Sequence, residues 1–201
     1  MSDFYRNNYQ TYAARTFAVD PAGFLRPFLE VLPPGASLLD VGCGAGRDLL
    51  WFKKRGFKVT GFEKSPGLAG IARQNAGCEV IEGDFETFDF SSFSFDAVLA
   101  SAAFVHIPHE RLPDVIANVG RALVENGFFY ISLKKGEGAE TDDTARTFYL
   151  WREKPLRQIF DRLGLSVLTL TTSTSALNPG DTWLGCVLQL TRLTPLYGRQ
   201  Q

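Results

Sequence analysis

Soft metal ligands are scarce in this chain of 201 residues, which has two histidines and three cysteines. Cys43, Cys78 and Cys186 are odd in number, far apart and form no C-x-x-C pair, so no metal site is expected. Unpaired cysteines fit a reducing cytoplasm. An excess of one charge is also missing. The chain has 21 Lys and Arg against 22 Asp and Glu, a formal net charge of -1. That balance argues against a broad phosphate-binding surface, and a nucleic-acid partner is not expected. No apolar run reaches transmembrane length, and the polar stretch 1–10 has no apolar signal core, so the expectation is a cytoplasmic protein with no membrane partner. Internal repeats and low-complexity segments are absent. What remains is ordinary for a globular protein, with 45% hydrophobic and 21% charged residues, and phenylalanine is plentiful at 17. This length suits one α/β domain with a substantial core and is short for two.

The most informative stretch runs from Leu38 to Asp48. Leu38, Leu39 and Val41 read as a buried strand, and Leu49, Leu50 and Phe52 as the apolar face of a helix. Between them, Gly42, Gly44 and Gly46 allow positive φ or a close ligand approach. The spacing is G-x-G-x-G with Asp40 two positions ahead, whereas the dinucleotide fingerprint is G-x-G-x-x-G. An acid at the loop suits a cofactor with a cationic end and no phosphate. Asp40 is also readable as a turn residue that satisfies loop amides.

The D-x-G-x-G-x-G run from Asp40 to Gly46 resembles motif I of the class I S-adenosylmethionine-dependent methyltransferases. The resemblance covers roughly residues 36–170. Strands are expected near 37–42, 57–62, 78–82, 95–100 and 127–134, with helices near 46–55, 66–76, 108–124 and 152–163. Residues 165–172 and 182–191 read as two strands joined by a turn, hence antiparallel. The fold expected is α/β, a doubly wound, mostly parallel seven-stranded sheet with helices on both faces and an antiparallel C-terminal strand pair. It forms one domain, 1–201, in which 1–35 is a helical lid and 36–201 the cofactor-binding core. The turn before strand five reads Val124-Glu125-Asn126-Gly127 where the family has Lys-Pro-Gly-Gly, and Asn tolerates the left-handed geometry.

The resemblance implies S-adenosylmethionine as cofactor, and the motifs place its contacts. Gly42, Cys43, Gly44 and Gly46 bring backbone to its amino-acid part, and Asp40 meets its ammonium. Glu63, 17 positions after Gly46, would accept the ribose hydroxyls, with Lys64 beside it; the alternative is an exposed neighbour of a helix N-cap at Ser65-Pro66. Asp84 would accept the adenine amino group, and Phe85 would offer its backbone N–H to the ring and apolar surface beside it, the alternative being a Gly-Asp turn with Phe85 in the core. Ser101, at the end of strand four, completes the cofactor set.

The acceptor is less patterned. The [DN]-P-P-[YFW] run that often marks exocyclic-nitrogen methylation is missing after strand four, and so is the Pro-Cys pair of cytosine C5 enzymes. The expected substrate is a small molecule methylated on oxygen or nitrogen. The alternatives are a tRNA or protein substrate, or a non-catalytic subunit that binds the cofactor. His106, just before a helix expected to start at Pro108, is the candidate general base, or else a histidine that packs or caps that helix. Substrate contacts are assigned to Tyr12 on the N-terminal lid, to Phe104 and His106, and to Lys134, Arg146 and Tyr149 around a long loop, 134–151, placed to cover the site. The charges of Lys134 and Arg146 are also readable as solvated.

Overall fold

The computed structural model describes residues 4–191. Three helices come first, α1 (Phe4–Asn7), α2 (Tyr9–Phe17) and α3 (Ala22–Leu29). Strands and helices then alternate as β1 (Ser37–Val41), α4 (Arg47–Lys53), β2 (Lys58–Glu63), α5 (Pro66–Ala76), β3 (Val80–Glu82), β4 (Phe95–Ser101), α6 (Leu112–Gly120) and β5 (Leu123–Lys134). A hairpin of β6 (Ala139–Thr141) and β7 (Thr147–Tyr149) follows, then α7 (Glu153–Arg162), β8 (Leu165–Thr174) and β9 (Thr182–Leu190).

The main sheet has seven strands in the order β3-β2-β1-β4-β5-β9-β8. The first five are parallel, and β9 runs antiparallel to both β5 and β8. This is the architecture the sequence predicts. Alternation along each strand shows why both faces carry helices. Leu39, Val41, Val98, Phe129 and Ile131 face a core closed by α6 and α7, whereas Leu38, Ala97, Leu99 and Tyr130 face α3 and α4. The order reverses between β1 and β4, which makes their carboxyl ends the switch point where open α/β sheets bind ligands.

Local signals account for most boundaries. Ser65 caps α5, Pro66 fills its first turn, and Gly77 ends it at φ 56. Asn126 takes φ 62, so the turn before β5 keeps the left-handed residue it needs.

Two expectations are corrected. The helix expected from Pro108 starts at Leu112, because Pro113 occupies its first turn while residues 108–111 form a separate turn, Leu112 N–H donating to the Pro108 carbonyl at 3.1 Å. The stretch 134–151 is no open loop. Asp142 gathers the N–H and hydroxyl of Thr144 and the N–H of Arg146 on one oxygen, and that turn pairs β6 with β7. Among the described residues no helix is long and apolar enough to cross a membrane, and no group of three or more His, Cys, Asp or Glu is placed to hold a metal ion.

Candidate functional site

A cavity of about 1000 Å³ opens over the carboxyl ends of β1 and β4. Its walls come from α1 and α2, the glycine loop after β1, residues 101–105, the β6–β7 hairpin and the β8–β9 turn. The N-terminal helices cover it by specific contacts. Tyr9 lies so close to Gly67 that a Cβ there would sit 2.6 Å from its ring, and Ser65 Oγ donates to the Tyr5 carbonyl at 3.1 Å. Arg15 reaches the β8–β9 turn through Asn178 Oδ1 at 2.9 Å.

The glycine loop spends four of its N–H groups within the protein, three of them on β2. Gly42 and Cys43 N–H groups both donate to the Phe62 carbonyl, Gly44 N–H donates to Glu63 Oε2, and Gly46 N–H donates to the Cys43 carbonyl. Gly42, Gly44 and Gly46 take φ 73, 55 and 80. Those four donors are therefore not offered to a ligand. Asp40 offers the opposite polarity. It is 2% exposed, lines the cavity, and its Oδ2 is buried without a hydrogen-bond partner. Burial, and then the negative charge of Asp48, push its carboxyl well above the usual range, with Arg47 opposing. An unpaired buried carboxylate of this kind is costly alone and fits a cationic ligand.

Of the expected cofactor residues, Asp40, Gly42, Cys43, Gly44 and Ser101 line the cavity. Glu63 stands behind the loop, its oxygens accepting Gly44 N–H at 2.9 Å and Ser65 N–H at 2.8 Å. Lys64 and Asp84 pair with each other at 2.5 Å at the ends of β2 and β3. Two of the expected residues have a packing role in the structure. Gly46 serves helix packing, since a Cβ there would lie 2.9 Å from Ala72 Cα. Phe85 points into the core, 2% exposed, against Phe104 at 5.2 Å.

On the acceptor side, Tyr12, Lys134 and Arg146 line the cavity. Tyr12 lies over the glycine loop, 3.8 Å from where a Gly44 Cβ would be, and edge-on to Tyr5 at 5.0 Å. Both cations already have partners. Lys134 Nζ meets Glu140 at 2.6 Å and Asp181 at 3.0 Å, above the Phe148 ring at 4.6 Å. Burial works against its charge, but the two carboxylates raise its pKa overall. Arg146 pairs with Asp142 at 2.6 Å and stacks on Phe4 at 4.2 Å. Two expected substrate contacts fail. Phe104 is fully buried against Phe85 and Phe129, and Tyr149 packs edge-on to His109 at 5.4 Å, away from the cavity.

His106 sits one layer behind the cavity wall. Its Nδ1 lies 2.5 Å from the Thr147 carbonyl and its Nε2 2.8 Å from Tyr5 Oη. A carbonyl only accepts, so the neutral ring carries its proton on Nδ1 and takes the Tyr5 hydroxyl proton into a hydrogen bond at Nε2. Burial, then the Arg146 charge, hold its pKa below the ordinary value against the raising effect of Thr147. Tyr5, Asp48, Glu140 and Asp181 line the cavity and were not singled out as ligands. Tyr5, Tyr9 and Tyr12 recur at near-helical spacing, which is the available signal for the first; Asp48 closes the glycine-loop stretch, and Glu140 and Asp181 sit in segments without a pattern.

Residues 38–127 match the family described as methyltransferase domain. Over that segment the chain is similar to a methyltransferase domain. A sterol 24-C-methyltransferase of Gibberella zeae is 38% identical over 108 residues, which is 49% of this chain and 27% of that protein. The 2-methyl-6-phytyl-1,4-hydroquinone methyltransferase of Synechocystis is 28% identical over 139 residues, 67% of this chain and 42% of that protein. The chain thus spans less than half the length of these curated relatives. The 1,6-didemethyltoxoflavin-N1-methyltransferase of Burkholderia thailandensis, solved with bound 1,6-didemethyltoxoflavin and S-adenosylhomocysteine, superposes with a TM-score of 0.73 at 18% identity, over 94% of this chain and 84% of that one. That likeness shows the fold.

Proposed function

We propose that this chain is an S-adenosylmethionine-dependent methyltransferase acting on an oxygen or nitrogen of a small molecule. One observation carries the cofactor reading: Asp40 lines the cavity and keeps a buried carboxylate oxygen without a hydrogen-bond partner, beside a loop in which the N–H groups of Gly42, Cys43, Gly44 and Gly46 already have acceptors within the protein. A pyrophosphate needs free N–H donors and is repelled by such an acid, whereas an amino-acid ammonium satisfies it. Asp40 would hold that ammonium, Tyr12 would cover it, and Glu63 and Asp84 would serve the nucleoside half. The cofactor supplies a methyl group activated by a positive sulfur. The chain supplies alignment and a dry chamber.

The acceptor side supports a small, largely uncharged molecule. Phe4, Phe148 and Trp183 offer flat apolar walls, and Lys134 and Arg146 are already neutralised by their own carboxylates. Relatives named for a sterol, a hydroquinone and a didemethyltoxoflavin favour the same class. Calorimetry should show S-adenosylmethionine and S-adenosylhomocysteine binding and NAD failing to compete. NAD binding as tight as S-adenosylmethionine would overturn the reading.

A further inference from the structure

Tyr5 is the polar group that stands between His106 and the cavity. Its hydroxyl is 2.8 Å from His106 Nε2, and Tyr5 lines the cavity while His106 does not. The pair is held from three sides. The Thr147 carbonyl of the β6–β7 hairpin fixes the ring tautomer through Nδ1, the Phe148 ring lies 4.6 Å from the imidazole, and Ser65 Oγ anchors the Tyr5 carbonyl. Three separate segments, α1, the turn after β4 and the hairpin, thus converge on one hydroxyl–imidazole contact. Simple packing needs no such tautomer-specific chain.

Resting on the methyl-transfer reading above, we infer that Tyr5 is a catalytic residue that takes the proton of a protic acceptor, a phenol, enol or heteroaromatic N–H, with His106 as the base behind it. The acceptor X–H donates to Tyr5 Oη. As the acceptor's lone pair bonds the methyl carbon and the sulfur keeps the C–S pair, the X–H proton passes to Tyr5 Oη and the Tyr5 proton passes to His106 Nε2. Tyr5 ends as it began, and His106 ends as an imidazolium with Nδ1–H still on Thr147. That proton is later lost to solvent. The charged groups facing the pair are Arg146 and Asp142 of the hairpin and Glu63 of β2. The Arg146 charge favours a transient phenolate and disfavours a resting imidazolium, so it keeps His106 ready to accept.

The test uses the parent, Tyr5→Phe, His106→Gln and the double variant, each saturated with S-adenosylhomocysteine or supplied with methyl-labelled S-adenosylmethionine. With two histidines in the chain, nitrogen NMR assigns His106 by its loss in His106→Gln. The parent should show Nδ1 protonated and Nε2 bare, and Tyr5→Phe should keep that tautomer while the Nε2 resonance shifts on losing its hydrogen bond. Methyl transfer is followed to 4-nitrophenol, 4-chlorophenol, phenol and benzimidazole. Tyr5→Phe should keep cofactor affinity, cost in stability no more than the loss of one buried hydrogen bond, and lower kcat by about a hundredfold or more, least for 4-nitrophenol, whose proton needs least help. The double variant should be no slower than the worse single one, as for residues acting as a unit. A parent that binds the cofactor and methylates none of these acceptors, a Tyr5→Phe variant with full turnover, or a His106 protonated on Nε2 would each overturn the inference. A parent that fails to bind S-adenosylmethionine would overturn the methyltransferase reading as well.

Discussion

The carboxylate of Glu63 accepts the backbone N–H of Gly44 at 2.9 Å, so the last residue of β2 fixes the middle of the loop that follows β1. Its other oxygen takes Ser65 N–H at 2.8 Å and so also sets the start of α5. One buried side chain ties the cavity-lining glycine loop to the start of α5. Glu63→Gln should therefore harm stability as well as binding. The amide has one acceptor oxygen, and its NH2 would face a backbone donor, leaving one N–H unpaired at a cost of about 1–3 kcal/mol. Urea denaturation should show that loss, and calorimetry should show weaker S-adenosylhomocysteine binding. An unchanged unfolding midpoint would mean that the two N–H groups do not depend on Glu63.

The glycine loop shows how far the sequence speaks for itself. The D-x-G-x-G-x-G spacing marks a strand, a tight turn and a helix, and the structure has all three. Spacing does not say what each glycine is for. Gly42 and Gly46 face side chains of Ala103 and Ala72, contacts made between segments distant in sequence. Motif position puts Phe85 and Phe104 near the ligand but does not give side-chain direction, and each buries its ring against the other. The β6–β7 hairpin escaped notice because its strands are only three residues each and Asp142, a side chain, holds its turn. Tyr5 was visible only as part of a stripe, since its partner His106 lies 101 residues away.

Gly46 and Gly70 give a paired test of packing. At Gly46 the backbone has φ 80 and an added Cβ would lie 2.9 Å from Ala72 Cα, which is backbone and cannot swing away. Gly46→Ala should cost about 2–4 kcal/mol from left-handed strain and overpacking together. Gly70, inside α5, has nothing within 4 Å of its added Cβ, and Gly70→Ala should stabilise by about 0.5–1 kcal/mol. Opposite signs in chemical denaturation are the expected result; equal effects would refute the packing role of Gly46.

The three thiols should differ in reactivity. Cys43 and Cys186 are buried, and Cys78 is half-buried. Burial, and then the Asp40 charge, raise the Cys43 thiol well above its usual value, and burial pushes Cys186 up to about 12. Only thiolates react readily. A disulfide reagent at neutral pH should therefore modify Cys78 first in the native protein, with Cys43 and Cys186 following only on unfolding. Fast labelling of Cys43 that S-adenosylhomocysteine does not slow would contradict its place in the cavity wall.

Asp40 links proton binding to both stability and ligand binding. Its folded-state carboxyl is raised by burial and by Asp48, so the native protein holds this proton longer than the unfolded chain does. The stability this group contributes is complete below the ordinary carboxylate value of about 3.8 and is lost as pH rises through the higher folded value. The ligand-free parent should lose stability across that window, and Asp40→Asn, which cannot ionise, should remove that loss and melt higher than the parent at neutral pH. Binding has the opposite sign. A cationic ammonium favours the ionised carboxylate, so S-adenosylhomocysteine should bind more tightly as pH rises through the same window, with a proton released that calorimetry in buffers of different ionisation heats will count. Asp40→Asn should lose that pH dependence and bind roughly ten- to a hundredfold more weakly, the worth of a charged hydrogen bond. A variant that is stabilised without ligand yet weaker with it separates a ligand carboxylate from a structural one, because a turn residue that merely satisfied loop amides would weaken both states alike. Parent-like affinity with a parent-like pH slope in Asp40→Asn would place the ammonium elsewhere in the cavity.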